Sequence, residues 1–174
     1  MQAKEMAAES LGAKFTPSNY EVALELDRLA DDAEGGLRQR RLIDMRKKAL
    51  VLMKDLKTFN PRLIGSVWRG TARMGSDIDV VVLARSPSDL EVPLANYKIR
   101  ERREVSFKGG VHAHHFKIDL GEDEAEIVVR DPTEYTVERC DIYGDAKRGL
   151  TLLELERLLR TDPLRKFVPK RRSR

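Results

Sequence analysis

The sequence predicts an α/β (α+β) domain, in which helices flank a mixed sheet of about four or five strands. Two observations lead to this fold class. Runs of β-branched apolar residues, such as Val80–Val82, occupy the middle of the chain, and capping boxes with helical periodicity mark both sides of it. We therefore predict a helical segment at 1–60 packed on the core, a core with a C-terminal helix at 61–162, and a mobile basic tail at 163–174.

Composition limits the class of protein. The 174 residues suffice for one domain with a hydrophobic core, and 36% of them are charged. No apolar run reaches the length of about 20 residues that spans a bilayer. The single cysteine, Cys140, excludes an internal disulfide and suits a reducing compartment. We therefore predict a cytoplasmic protein with no membrane partner, whose net charge of +4 permits a nucleic-acid partner without requiring one.

The N-terminal segment is predicted to contain two helices. The first begins at a capping box formed by Ser18 and Glu21 and ends at Gly35-Gly36; the second covers residues 37–58. Residues 1–16 show no periodicity and are predicted to fray. The polar face of the second helix is strongly basic and carries Arg38, Arg40, Arg41, Arg46, Lys47, Lys48, Lys54 and Lys57. We predict that this face is solvated, the alternative being a patch that binds a phosphate backbone.

The remaining elements follow from shorter patterns. A charged run at 97–107 is typical of an edge strand, and Gly109-Gly110 ends it. The apolar runs 111–120 and 125–129 are predicted to form an antiparallel hairpin with a loop of about four residues. A second capping box, which begins at Thr151, opens the C-terminal helix.

The clearest chemical signal lies in the stretch Leu63–Leu83, which reads LIGSVWRGTARMGSDIDVVVL. Asp77 and Asp79 open a strand, so both project on the same side while Ile78 points into the core. Two carboxylates at such a short distance repel each other unless a cation lies between them. Hard oxygen ligands at this spacing suit Mg²⁺.

A second part of the same stretch suits phosphate. Glycine at Gly65 lets a ligand approach the backbone, Ser66 adds a hydroxyl donor, and Arg69 can pair with phosphate oxygens. The ten residues 67–76 then return the chain to the aspartates. Phosphate donors and paired carboxylates on adjacent strands together predict a metal-dependent nucleotide site.

These residues also resemble a known signature. Gly65-Ser66, Arg69-Gly70-Thr71 and Ser76-Asp77-Ile78-Asp79 are similar to the signature of the DNA polymerase β-like nucleotidyltransferase superfamily. The motif is closest to those of archaeal CCA-adding enzymes and small stand-alone nucleotidyltransferases, and the resemblance covers residues 63–130. It implies that two aspartates on one strand and a third carboxylate on a neighbouring strand hold two Mg²⁺ ions, with Mn²⁺ as an alternative.

Two acids qualify as the third carboxylate. Asp119 and Glu126 each lie between apolar residues on a predicted strand. Glu126 is favoured, because Gly121 follows Asp119 closely and places it near the hairpin turn. The superfamily usually has aspartate at this position, so Glu126 is a departure from its pattern.

The resemblance implies that a nucleoside monophosphate is moved from an NTP to a hydroxyl acceptor, which could be RNA, protein or a small molecule. The implied catalytic and metal-binding residues are Asp77, Asp79 and Glu126, and the implied triphosphate-binding residues are Gly65, Ser66, Arg69 and Ser76. Arg73 and Lys117 are looser phosphate candidates.

Two other functions fit the same sequence. One is an antitoxin-like or regulatory protein that keeps the nucleotidyltransferase fold and acts through a protein partner. The other is an RNA-binding module that uses the basic helix and the basic tail. The terminal helices could also form a homodimer face.

Several residues have both a structural and a functional interpretation. Trp68 could stack on a base, but packing beneath the motif is favoured. His112, His114 and His115 invite a zinc interpretation, but a partly exposed strand face is favoured because the sequence supplies no further ligands of the usual structural set. Cys140 lacks a basic setting and is predicted to be unreactive.

Overall fold

A mixed six-stranded sheet forms the centre of the computed structural model, which describes residues 2–106 and 112–170. The strands are β1 (Arg62–Ile64), β2 (Ile78–Leu83), β3 (Lys98–Ser106), β4 (His112–Asp119), β5 (Glu124–Arg130) and β6 (Leu150–Thr151). The helices are α1 (Gln2–Ser10), α2 (Asn19–Asp55), α3 (Gly65–Arg69) and α4 (Leu152–Thr161). The sheet order is β3-β4-β5-β2-β1-β6, in which β2 and β5 run parallel and the other described pairs antiparallel.

This architecture confirms the predicted fold class. The predicted edge strand and hairpin correspond to β3, β4 and β5, and β3 lies at the edge of the sheet. The sixth strand, β6, is not among the predicted ones. Its two residues pair with β1 immediately before α4, and a strand of two residues is too short to show a sequence pattern. The break predicted at Gly109-Gly110 lies outside the described residues.

Helix α2 contains the predicted break. The Ser18 hydroxyl accepts a hydrogen bond from the Glu21 backbone, and the Glu21 carboxylate accepts one from the Ser18 backbone, as a capping box requires. Gly35 interrupts the helix with φ 53° and ψ −135°, a conformation that glycine adopts readily. Residues 1–16, which are predicted to fray, contain the helix α1 over Gln2–Ser10, formed from good helix formers such as Ala7 and Ala8.

One face of the sheet packs against the helices and forms the core. Alternate residues of β2 and β5, including Ile78, Val80 and Ile127, are fully buried against apolar residues of α2 and α4. Trp68 belongs to this core and is only 6% exposed, which supports the packing interpretation. In the part of the chain that the structure describes, no helix is both long and apolar enough to span a bilayer.

Two arginines of the basic helix are buried, contrary to the prediction of a solvated face. The Arg38 guanidinium pairs with Asp27 and Asp31 and donates to the backbone carbonyls of Thr71 and Ala72. Arg38 thereby joins the two halves of α2 across Gly35 and attaches them to the loop that follows α3. Burial is possible because these acceptors compensate the lost hydration of the cation.

Arg46 is the second exception and is fully buried. Its guanidinium donates to the carbonyl oxygens of Val67 and Trp68 in α3, and to those of Pro163 and Arg165 beyond α4. A guanidinium presents five donors in a fixed plane, which suits several carbonyls at once. Arg46 therefore links the segment after α4 to α3.

Residues 163–170 lie against the body, in contrast to the free tail that composition suggests. The Lys166 ammonium pairs with Asp27 at 2.7 Å and with Asp31 at 2.9 Å. The Phe167 backbone N–H donates to the Arg69 carbonyl at 2.8 Å. Residues 171–174, which hold much of the basic excess, lie outside the described part of the chain.

Candidate active site

The three predicted carboxylates come together at one end of the two parallel strands. Asp79 on β2 lies directly opposite Glu126 on β5, and Asp77 immediately precedes β2. Their neighbours Ile78 and Ala125 face the core, so Asp79 and Glu126 project from the opposite face of the sheet. Because β2 and β5 are far apart in sequence, this meeting depends on their parallel pairing.

Asp79 is a carboxylate in an unfavourable setting. Burial raises the pKa of the Asp79 carboxyl to about 7, and the neighbouring charges of Glu126 and Asp77 add to the rise. Lys117 acts in the opposite direction, and its ammonium lies 3.6 Å from an oxygen of Asp77. The site thus concentrates negative charge where water is partly excluded.

Glu126 has two cationic or hydrogen-bonding partners. Arg103 of β3 donates to the Glu126 Oε1 at 2.6 Å, and the Nδ1 of His115 on β4 lies 3.1 Å from the same oxygen. Burial alone would raise the pKa of Glu126, but the hydrogen bonds from His115 and Arg103 outweigh it and the pKa lies below its ordinary value. Glu126 is therefore held as a carboxylate.

The donor set has the chemistry of a hard-cation site. A divalent cation would offset both the repulsion between the carboxylates and the desolvation of Asp79. Across residues 2–106 and 112–170, no three His, Cys, Asp or Glu side chains converge closely enough to enclose a metal ion as they stand. The Glu126 carboxylate is instead directed to Arg103 and His115, so closure around a cation requires Glu126 to exchange these partners.

Asp119, the other candidate for the third carboxylate, lies one strand further from Asp79. It belongs to β4, which is separated from β2 by β5. Its carboxylate accepts from Arg100 at 2.8 Å and from the Gly121 backbone at 2.9 Å, and it also pairs with Lys98. These contacts tie Asp119 to the hairpin turn and to the edge strand, whereas Glu126 is the direct neighbour of Asp79.

Gly65 contacts the carboxylate cluster directly. It begins α3 with φ +69°, and a Cβ atom built on it would lie 1.9 Å from the Asp79 Oδ2. No side chain fits in that space. Gly65 is predicted to let a ligand approach the backbone. Its missing side chain also leaves room for the Asp79 carboxylate.

We expect Gly65→Ala to displace Asp79 and to abolish metal binding, which calorimetry with Mn²⁺ would measure. Gly75→Ala is the matched control, because Gly75 also has a positive φ (+80°) but has open space around its Cβ position. The control should lose only the stability that backbone strain costs, about 1 kcal/mol. Equal metal affinity in the two variants would contradict the proposed contact between Gly65 and Asp79.

A polar cavity of about 230 Å³ lies between the first half of α2, where Asp27 lines it, and the segment that ends at Ser76, the residue before Asp77. Its hydroxyl and cationic groups come from Ser66, Thr71, Arg73 and Ser76, and its other wall from the first half of α2 and Tyr143. The Arg73 backbone donates to the Ser76 hydroxyl at 3.0 Å, which fixes the turn before β2. We name these four residues the cradle.

Arg69 does not reach the cradle. Its guanidinium donates to both carboxylate oxygens of Asp145, at 2.7 and 3.0 Å, and to the Phe167 carbonyl. It also lies over the rings of Trp68 and Tyr143, and the residue is only 4% exposed. The structure therefore assigns Arg69 to packing, in place of the predicted triphosphate contact.

Sequence reasoning did not identify Arg103 as part of the site. It lies on an exposed strand with several other basic residues, and only its register opposite His115 brings it to Glu126. His115 was considered for zinc but not as a partner of Glu126. The alternation of side chains along β4 places His115 and Lys117 on the same face as Glu126, which is the signal that could have revealed the contact.

Comparisons with solved structures find matches of low identity and low TM-score. The GLD-2/RNP-8 complex gives a TM-score of 0.36 with 11% identity, covering 64% of this chain and 38% of that one. A Cid1 poly(U) polymerase bound to MgGTP gives 0.34 with 17% identity, covering 64% and 38%. A cytoplasmic RNA terminal U-transferase gives 0.34 with 15% identity, covering 63% and 36%. This chain thus corresponds to less than half of each.

No curated protein is detectably similar to the chain. One domain family matches the chain by its sequence profile. The nucleotidyltransferase domain profile matches residues 39–140, which is more than half of the chain. The matched range includes the cradle, Asp77, Asp79 and Glu126. The chain therefore belongs to the nucleotidyltransferase domain family, as its motif predicts.

Proposed function

We propose that this protein is a Mg²⁺-dependent enzyme that moves a nucleoside monophosphate from an NTP to a hydroxyl acceptor, which is RNA, a protein or a small molecule. The observation that carries the proposal is the pairing of Asp79 with Glu126 beside Asp77, in a setting that raises the pKa of Asp79 to about 7. A cluster of like charges in a partly buried position destabilises a fold when no cation is bound. Such a cluster therefore indicates a cation ligand.

Asp77, Asp79 and Glu126 would hold the metal. When bound, Mg²⁺ supplies charge neutralisation at the triphosphate and lowers the pKa of a coordinated hydroxyl. Glu126 would act as a metal ligand only after it leaves Arg103. The Arg103 guanidinium would then be a cation able to pair with a phosphate oxygen.

The cradle would bind the triphosphate. The hydroxyls of Ser66 and Ser76 donate hydrogen bonds to phosphate oxygens, and the Arg73 guanidinium neutralises charge. Lys117 lies on the same face as the carboxylates and offers a further cation. Together these residues orient the α-phosphate towards the strand ends.

The reaction is an in-line displacement at the α-phosphate. The acceptor oxygen forms a bond to phosphorus, the bond to the pyrophosphate oxygen breaks, and pyrophosphate leaves. The acceptor proton passes to a carboxylate oxygen, for which Glu126 is the candidate. The chain's contribution is positioning and charge placement.

Calorimetry and a product assay test this proposal. We expect wild type to bind a non-hydrolysable NTP analogue in the presence of Mg²⁺ and to transfer label from an α-labelled NTP to an RNA, protein or small-molecule acceptor. Asp77→Asn should weaken analogue binding at least about tenfold, because a metal ligand is lost. Asp44→Asn, which changes an exposed acid on α2, is the control. Failure of wild type to bind any NTP analogue would refute the proposal.

The alternative of an RNA-binding module without chemistry loses part of its basis in the structure. Arg38 and Arg46 are buried and engaged with backbone and carboxylate oxygens. Arg41 and Lys48 pair with the buried carboxylate of Asp123. The basic helix therefore presents fewer available cations than its sequence suggests.

A further inference from the structure

An apolar stripe lies exposed on the first half of α2. Its residues Val22, Leu26, Leu29 and Ala33 are spaced by four, three and four positions, so they share one face of the helix. Leu26 is 41% exposed and Leu29 is 47% exposed. A helix normally turns such a stripe towards the core, so an exposed one indicates a surface that another molecule covers. We name these four residues the α2 stripe.

The α2 stripe is surrounded by negative charge. The acidic residues of the first half of α2 are Glu21, Glu25, Asp27, Asp31, Asp32 and Glu34. Arg28, Arg38 and Lys166 pair with members of this set, so the six acids and these three cations leave a net charge of −3. Glu25 and Asp32 each precede a stripe residue by one position, and they therefore lie on the same flank of the stripe.

A groove of about 520 Å³ lies at the other end of the fold's central strand, β2. Its apolar walls include Val81 and Leu83 of β2, Val137 from the segment after β5, and Leu153 of α4. Leu83 is four residues beyond Asp79, or about 13 Å along the strand. Leu153 is 73% exposed and Val137 is 48% exposed, so these walls also lack a cover. We name this space the β2-end groove.

The β2-end groove carries the opposite charge. Lys57 and Arg62 line it, and none of the acids in residues 2–106 and 112–170 does. Glu154 lies nearby, but hydrogen bonds from Thr151 and the charges of Arg62 and Arg157 keep the pKa of its carboxyl below the ordinary value. The apolar walls of the groove therefore lie among more cations than anions.

The two surfaces complement each other. Two stripes in contact would bring acids together, and two grooves in contact would bring cations together, and both arrangements are electrostatically unfavourable. Docking of the apolar face of a helix in an apolar groove is a recurring mode of recognition. We infer that the α2 stripe of one copy of this chain docks in the β2-end groove of a second copy.

The groove has room for this contact. A cavity of about 150 Å³ accepts a benzene-sized group, so a groove of about 520 Å³ can hold the side chains of Leu26 and Leu29 together. The contact joins two different surfaces and is therefore heterologous, which allows each copy to bind a further copy until a ring closes. It is independent of the proposed transfer reaction.

Sedimentation velocity of the full chain tests this inference. Leu29→Gln removes an apolar contact from the stripe, and Leu153→Gln removes one from the groove. Both positions are exposed, so both variants should fold. Leu29 is chosen because Leu26 also lines the cradle. Val92→Gln, at an exposed apolar position outside both surfaces, is the matched control.

We expect wild type and Val92→Gln to associate as concentration rises, and each of the other two variants to associate about tenfold more weakly or less. An equimolar mixture of Leu29→Gln and Leu153→Gln should restore association as a 1:1 dimer. The first variant keeps an intact groove and the second keeps an intact stripe.

Two outcomes of these measurements would overturn the inference. One is a wild type that stays monomeric up to about 100 μM, because a different molecule would then have to cover these surfaces. The other is a mixture of the two variants that stays monomeric at concentrations where wild type associates, because stripe and groove would then not be partners.

A pair of charge reversals tests the electrostatic part separately. Asp32→Lys reverses an acid beside the stripe and should weaken association about tenfold. Asp44→Lys is the matched control on the second half of α2, since both aspartate side chains are 62% exposed and each pairs with a cation of its own helix. Equal association of the two variants would contradict the charge complementarity from which the partner is inferred.

Discussion

Replacing Asp79 with asparagine is expected to abolish nucleotidyl transfer and, at the same time, to stabilise the fold. Transfer should fall by about a thousandfold or more, because a carboxylate of the proposed metal site is lost. The free energy of unfolding should rise by about 2 kcal/mol at about pH 8, because a buried charge next to Glu126 and Asp77 is removed. A product assay and chemical denaturation measure the two effects.

The gain in stability should depend on pH in a defined direction. The pKa of Asp79 in the folded protein, about 7, lies above the ordinary value of 3.8. The ionised folded form is thus penalised as pH rises between these two values, and the penalty is complete above about pH 7. The stability difference between the variant and wild type should therefore be large at about pH 8 and small at about pH 4.

Asp44→Asn is again the control, since the Asp44 side chain is 62% exposed and its removal should change stability little. Addition of Mg²⁺ should raise the melting temperature of wild type but not that of Asp79→Asn, because only the native site binds the ion. An asparagine variant that is less stable than wild type at about pH 8 would show that Asp79 is a structural carboxylate.

Replacing Arg46 with methionine is expected to cause the largest loss of stability of any single change considered for this chain. The loss should be about 3 kcal/mol or more, because two buried carbonyl oxygens in α3 and two partly buried ones, of Pro163 and Arg165, lose their donor. Urea denaturation measures the loss. Limited proteolysis should also show faster cleavage between residues 163 and 170 than in wild type.

Lys47→Met provides a matched control for this prediction. Lys47 is the next residue on α2, and its side chain is 65% exposed. Its replacement should change the free energy of unfolding by less than about 0.5 kcal/mol. If Arg46→Met and Lys47→Met were equally stable, the Arg46 contacts would carry no net stabilisation.

The pairing of Asp77 with Asp79 could be predicted because it depends on local geometry alone. A strand has a period of two residues, so the spacing of these aspartates fixes their common side. Both capping boxes and the break at Gly35 follow from equally short patterns and are confirmed. Glu126 was selected from its apolar neighbours, although its contact with Asp79 requires the parallel pairing of β2 and β5.

The residues that sequence reasoning misplaced are those whose partners are distant along the chain. Arg69 lies in the motif three residues after Ser66, and its pairing with Asp145, 76 residues away, cannot be seen from that motif. Arg46 was assigned to the solvated face because its basic neighbours share that face, whereas its acceptors lie in α3 and beyond α4. A guanidinium can be buried wherever the fold places enough acceptor oxygens around it. Those oxygens come from segments that are distant in sequence, so the local sequence does not reveal them.

The break in α2 has a mechanical consequence. Arg38 crosses the hinge at Gly35, holding Asp27 and Asp31 on one side and the 71–72 backbone on the other. Any rotation of the first half of α2, which also forms a wall of the cradle, must therefore either break these bonds or pull the loop before Ser76 with it. The position of the first half of α2 and that of the cradle loop are therefore coupled through the Arg38 side chain.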